Sequence, residues 1–208
     1  ADLSAVVDLI NAASLAEGFV LRRAKLEDVP GIAAVMARYV AEGVLLPRPV
    51  SELYQCVREF HVAEKNGEIV ATAALRVLWD DLGEVRSLAV RPDCHGHGLG
   101  ASLVKAVVDD AMAVGVPRVI ALTREVEFFE RCGFVVEKRE SLPRKVWTDC
   151  MRCPKRHACD EVAVVLDLVP DSEQLVVEAK IMPDDIDVVY PGLESRVKLT
   201  AYKARSHI

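Results

Sequence analysis

Residues 90–100 read Val90-Arg91-Pro92-Asp93-Cys94-His95-Gly96-His97-Gly98-Leu99-Gly100. An amphipathic run follows, with Leu103, Val107, Ala111 and Val114 on one helical face. Glycines at alternate positions supply positive φ and let a ligand approach the backbone closely. Successive N–H groups ahead of a helix N-terminus then share one concavity. Such a cradle suits a pyrophosphate-like anion. No other segment restricts the fold so strongly, because the loop requires a strand on one side and a long helix on the other.

The strands before the loop decide between the folds that use this device. Asn66-Gly67 is a strong two-residue hairpin signal. It joins a predicted strand near Phe60–Glu64 to one over Glu68–Trp79, and Leu82-Gly83 turns into another over Glu84–Val90. Hairpin-connected strands argue against a Rossmann unit, whose strands are parallel. The Gly-Lys-Ser/Thr of a Walker loop is absent. Upstream, Phe19–Ala24 predicts a strand. Asp28 before Pro30 predicts a helix start, Ile32, Val35, Met36, Tyr39 and Val40 follow at helical spacing, and Gly43 ends the run. Ser51 is a candidate cap for a second helix. Downstream, Val116–Leu122 predicts a buried strand, Glu125–Cys132 a short helix, Gly133–Val136 a strand and Glu161–Asp167 a last strand. The order up to Val136, β-α-α-β-β-β-α-β-α-β, with one more strand after it, is that of an α+β (α/β three-layer) domain, an antiparallel meander followed by a βαβ crossover.

Three parts are expected: an N-terminal helical extension over 1–18, the main domain over 19–168, and a β-rich tail over 169–208. After Pro170-Asp171-Ser172 the pattern alternates, as in Leu175, Val177, Ala179 and Ile181, and the tail is too short to hold a core alone. Apolar residues make up 51% of the 208, enough for a real core. A net charge of −6 leaves no basic footprint for nucleic acid and disfavours anionic membranes. No run is long and apolar enough to span a bilayer, the N-terminus lacks a signal-peptide pattern, and six cysteines without one favour a reducing compartment. The expectation is a cytoplasmic protein with a small-molecule substrate and no nucleic-acid or membrane partner. A homodimer stays open.

The loop His95-Gly96-His97-Gly98-Leu99-Gly100 resembles the pyrophosphate motif Arg/Gln-x-x-Gly-x-Gly/Ala of the GNAT acetyltransferase superfamily, with His95 at the Arg/Gln position. The resemblance implies a GNAT fold, a central mixed sheet splayed into a V and flanked by helices. It implies acetyl-CoA as co-substrate, with its phosphates on residues 95–100 and Ala101, its pantetheine arm along Leu88, Ala89 and Val90, and Phe129 near the thiol. Acetyl transfer needs a neutral amine, a polarised thioester carbonyl and a proton for the leaving thiolate. Glu84 opens the pantetheine-bearing strand where the family often places a basic carboxylate, and Arg86 lies on the same face. Many members use a Tyr as the acid where this chain has Phe129. Thr123 is the candidate donor to the leaving sulfur, or alternatively a helix cap.

Further segments are similar to the acetyltransferase domain of N-acetylglutamate synthases, above all the short stand-alone bacterial type. They are Leu21-Arg22-Arg23-Ala24 with Asp28, Glu42-Gly43-Val44-Leu45-Leu46, Ala73-Ala74-Leu75, Asp81-Leu82-Gly83-Glu84-Val85-Arg86, Ala121-Leu122-Thr123, Glu127-Phe128-Phe129 with Cys132-Gly133-Phe134, and Leu142-Pro143-Arg144-Lys145-Val146-Trp147. The implied reaction is direct acetylation of the α-amino group of a small amino acid, L-glutamate first, in arginine biosynthesis. Another amine or peptide N-terminus is the alternative acceptor, and a non-enzymatic assembly module the alternative class. A dicarboxylate needs cations, and Arg76, Arg86, Arg131, Arg144 and Lys145 are the candidates. Where some members carry Arg-x-Ser before the last strand, this chain has Cys159-Asp160-Glu161.

Cys150, Cys153, His157 and Cys159 fall within ten residues and match either a structural zinc set or reduced packing thiols. Residues 165–208 resemble a fragment of the β-barrel domain of type I secretion membrane-fusion (adaptor) proteins.

Overall fold

The computed structural model describes residues 18–138, 142 and 158–168. The expectations for the N-terminal extension and for the tail from 169 onward lie outside these residues, as do those for Arg144, Lys145, Cys150, Cys153 and His157.

The described elements are β1 (Phe19–Arg23), α1 (Val29–Ala41), α2 (Val50–Gln55), β2 (Phe60–Lys65), β3 (Glu68–Trp79), β4 (Leu82–Val90), α3 (Leu99–Val114), β5 (Arg118–Thr123), α4 (Val126–Arg131), β6 (Val135–Glu137) and β7 (Val162–Asp167). They form one mixed sheet of seven strands in the order β1-β2-β3-β4-β5-β7-β6. The first four are antiparallel neighbours, and β4 runs parallel to β5 through the α3 crossover. The last strand β7 inserts antiparallel between β5 and β6. Single-strand patterning carries no information about that insertion.

The V-shaped splay has a visible cause. Strands β4 and β5 pair only through Gly83↔Val119 and Glu84↔Ile120. Farther along β4, Ala74↔Arg86 is followed by Thr72↔Ala89, so β4 carries one residue more than β3. The extra residue is Ser87, held at φ 54. A bulge of this kind bends its strand and ends regular pairing. It also flips the faces. Val85 packs into the core under α3 and so do Leu88 and Val90, whereas Arg86 lies opposite Ala74 on the other face.

Each face has its own core. One, under α3 and α4, gathers Leu75, Val85, Leu103, Val107, Phe129 and Phe134. The other, under α1 and α2, gathers Ile32, Met36, Leu53, Phe60, Val62 and Ala74. Phe60 and Ile32 are fully buried, and removing a side chain like Phe60 costs on the order of 3–5 kcal/mol.

Several local readings are corrected. The β3–β4 turn falls at Asp80-Asp81, and Leu82 and Gly83 already belong to β4. The helix start expected at Asp28 is there, with Asp28 as the α1 N-cap, although its side chain does not cap. Its buried carboxylate accepts instead from Arg22 at 2.6 and 2.8 Å and from the Lys25 N–H at 2.6 Å. Ser51 lies inside α2, whose N-cap is Pro49. Cys94, in the Gly-rich loop, is buried in the core under α3 and α4. No helix among the described residues is long and apolar enough to cross a membrane.

Candidate active site

Strand β4 ends at Val90, and the loop after it is shaped by backbone freedom. Gly96 and Gly98 adopt φ 81 and 72, and Gly98 is the N-cap of α3. A Cβ added at Gly96 would meet nothing within 4 Å, so the space in front of the loop is open. The first hydrogen bond closing α3 runs from the Ser102 N–H to the Gly98 carbonyl. The earlier N–H groups of a sixteen-residue helix therefore face that space with the positive end of its dipole. The loop thus fits a pyrophosphate. Gly100 is required for a different reason: a Cβ there would come within 3.2 Å of the Phe128 ring on α4. Leu99 is buried beneath the loop and Ala101 packs against the same core.

His95 turns back from the concavity. With its proton on Nε2 it donates to the Val90 carbonyl at 2.9 Å, and the Tyr39 hydroxyl, from α1, donates to the same oxygen at 2.5 Å. Tyr39 Oη and His95 Nε2 are 3.2 Å apart. Both lone pairs of that carbonyl are thereby used. An extended amide chain laid along β4 is left with Leu88 and Ala89, on the edge that β5 abandons after Glu84. His97 packs its ring on Phe19, 5.3 Å between centroids.

At the closed end of the splay, Arg76 and Glu84 are cross-strand partners and Arg86 lies opposite Ala74. All three therefore occupy the face covered by α1 and α2. Glu84 and Arg86 are each 16% exposed, with Arg86 Nε 3.9 Å from Glu84 Oε2. Arg76 pairs with Glu59 at 3.3 Å, and the second Glu59 oxygen is buried without a hydrogen-bond donor among the described residues. Arg48 also enters here, from the loop between α1 and α2. Its side chain is 8% exposed and donates to Glu52 at 3.2 Å. Burial, and then the positive charge of Arg86, push the Arg48 guanidinium below its ordinary range. Two largely buried guanidiniums whose charges repel each other form a site that an anion relieves. Sequence reading missed Arg48, because an arginine between Pro47 and Pro49 reads as a solvated loop cation.

The other expected residues are spread out. Thr123 ends β5, 9% exposed, and its Oγ1 accepts from the Glu125 N–H at 2.9 Å. This is a local turn contact and not a helix cap, since the helix N-cap is Glu125 and carries no side-chain cap, and the hydroxyl proton stays available to donate. Phe129 is 4% exposed and stacks edge-on against Phe128 and Phe134, so its ring is core, and Phe128 is the ring that meets the loop. Arg131 is exposed at the end of α4, which packs on the opposite face of the sheet from Glu84 and Arg86. Cys159 lies 3.8 Å from a Glu161 oxygen, and no metal-competent cluster occurs among the described residues.

A sheet splayed after a β4 bulge, with a glycine cradle at the open end, defines a GNAT acetyltransferase. The family model for the acetyltransferase (GNAT) family matches residues 36–134. An uncharacterized N-acetyltransferase of Chlorobaculum tepidum is 37% identical over 145 residues, covering 70% of this chain and 94% of its own length. The amino-acid acetyltransferase of Mycobacterium tuberculosis is 39% identical over 64% of this chain and 78% of its own. Among solved structures, the N-acetylglutamate synthase of Neisseria gonorrhoeae, complexed with coenzyme A and N-acetyl-glutamate, superposes with a TM-score of 0.66 at 29% identity. That match covers 74% of this chain and 36% of the synthase. The chain belongs to the GNAT acetyltransferase family, and it is an acetyl-CoA-dependent N-acetyltransferase.

Proposed function

We propose that the enzyme acetylates the α-amino group of L-glutamate, producing N-acetylglutamate as a cytoplasmic step of arginine biosynthesis. The observation that carries this reading is the buried Arg48, held near Arg86 beside Glu84 and Arg76. Paired guanidiniums suit an acceptor carboxylate, and the buried Glu59 oxygen suits a substrate ammonium. The names of the Mycobacterium and Neisseria relatives agree with it.

In this scheme Glu84 takes a proton from the substrate ammonium, directly or through water. The freed amine nitrogen attacks the thioester carbonyl carbon. The C–N bond forms, the C–S bond breaks, and the nitrogen gives up its second proton, which the departing thiolate takes up directly or through solvent to leave coenzyme A as the free thiol. Thr123, with its hydroxyl proton free to donate, stabilises the departing sulfur in place of the family's usual Tyr. Binding both reactants in one splay supplies the rest through proximity. The coenzyme's pyrophosphate lies on residues 95–101 and its amide arm along Leu88 and Ala89.

Replacing Arg48 tests the reading. Arg48→Ala raises the glutamate KM by at least about tenfold, with the acetyl-CoA KM unchanged. An Arg48→Ala enzyme with an unchanged glutamate KM removes the basis for a dicarboxylate acceptor.

A further inference from the structure

The open end of the splay is crossed by a loop that Arg124 fastens to the far arm. After α1 the chain reverses at Gly43, φ 66, and the N–H groups of Val44 and Leu45 return to the Tyr39 carbonyl at 2.7 and 3.1 Å. This loop starts beside Val90, because Tyr39 bonds the Val90 carbonyl. It ends at Arg48, whose buried side chain lies within electrostatic reach of Arg86 and Glu84. Arg124 reaches it from the other arm of the splay. It follows Thr123 directly, donates from Nη2 to the Gly43 carbonyl at 3.0 Å, and pairs through Nε with Asp160 at 2.9 Å. Asp160 lies just before β7. One guanidinium therefore joins the loop, the end of β5 and the approach to β7.

The apolar side chains of the loop hold it only loosely to the body. Val44 and Leu46 are 38% and 42% exposed, and Leu45 packs only partly against the core under α1. A segment with little buried apolar area opens at low free energy, so one charge-assisted hydrogen bond weighs heavily in its position.

We propose that Arg124 is a positioning residue for the acceptor: it latches the Gly43–Arg48 loop across the splay and thereby sets Arg48 at the amine-binding side. The acceptor part of this inference rests on the function proposed above. The latch itself does not.

The test uses the full chain in two readouts. Steady-state kinetics compare wild type with Arg124→Ala, Arg124→Lys and Asp160→Asn. Hydrogen exchange follows the peptide over residues 42–49. Arg124→Ala raises the glutamate KM by about tenfold, leaves the acetyl-CoA KM unchanged and speeds exchange of the Val44 and Leu45 amides. Arg124→Lys, which keeps a donor and a charge, restores part of both effects, and Asp160→Asn falls between. Unchanged exchange and unchanged KM in Arg124→Ala overturn the proposal, as does an equal rise in both KM values. Should Arg124→Ala fail to fold, Asp160→Asn decides by the same criteria. Should the wild type acetylate no amino acid, the proposed acceptor fails, and exchange in residues 42–49 alone decides the latch.

Discussion

Glu84 bears the most specific expectation at the level of single residues. It is one-sixth exposed, next to Arg86 and cross-strand from Arg76. Glu84→Gln keeps the shape and removes the proton acceptor. It lowers kcat by about 100-fold without changing the acetyl-CoA KM, as initial-rate measurements at saturating acceptor will show. Arg131 is the counter-case. It was a reasonable cation for the acceptor from its place near the thiol end of the sequence, yet α4 lies on the other face of the sheet. Arg131→Ala leaves the glutamate KM within about twofold of wild type. A larger effect in a kinetic comparison with Arg48→Ala would require the acceptor to be bound differently.

Among the elements, the loop and the helices beside it depend on two glycines for unlike reasons. Gly96→Ala forces a side chain to φ near +80, at a cost of roughly 1 kcal/mol, and puts a methyl into the open cradle. It raises the acetyl-CoA KM more than it lowers Tm. Gly100→Ala presses on Phe128, which must yield by a few tenths of an ångström. It lowers Tm and shifts α4, measurable by thermal unfolding beside coenzyme titration. The glycines, the following helix, the hairpin at Asn66-Gly67 and the strand that bears Glu84 and Arg86 were legible in the residues, because turn chemistry and periodicity are local. The bulge at Ser87 was not. A serine at φ 54 has no local signature, because the bulge shows only in the register of β4 against β3. Strict alternation along β4 would put Leu88 on the face of Arg86, and the bulge puts it opposite. Arg48 and Arg124 escaped for a related reason: their partners, Arg86 and Gly43, are distant in sequence, and only the fold brings them together.

Over the whole molecule, stability should depend on pH through a cluster remote from the splay. His61 is buried between β2 and α3, 3.4 Å from Asp110, which is also ion-paired with Arg23. Burial pushes the imidazole below its usual 6.5, and Asp110 offsets only part of this because Arg23 already neutralises it. The fold therefore binds the proton less readily than the unfolded chain does. Its stability is complete above pH 6.5 and declines as pH falls below that value. Asp28, held low by Arg22, loses its contribution only below the ordinary carboxylate range, so the two windows separate. The Tm of wild type falls between pH 7.5 and 5.5, and His61→Gln flattens that fall. An equally steep fall in the variant would assign it to other groups.

On the proposed reading, the splay joins acetyl-CoA over the glycine cradle to an acidic amino acid beside Glu84, Arg86 and Arg48. The most direct measurement is free-thiol release from acetyl-CoA across a panel of the amino acids, polyamines and peptide N-termini. Thiol should appear on addition of L-glutamate and stay at background for polyamines and peptides. Release with polyamines or peptides and none with glutamate would contradict the account.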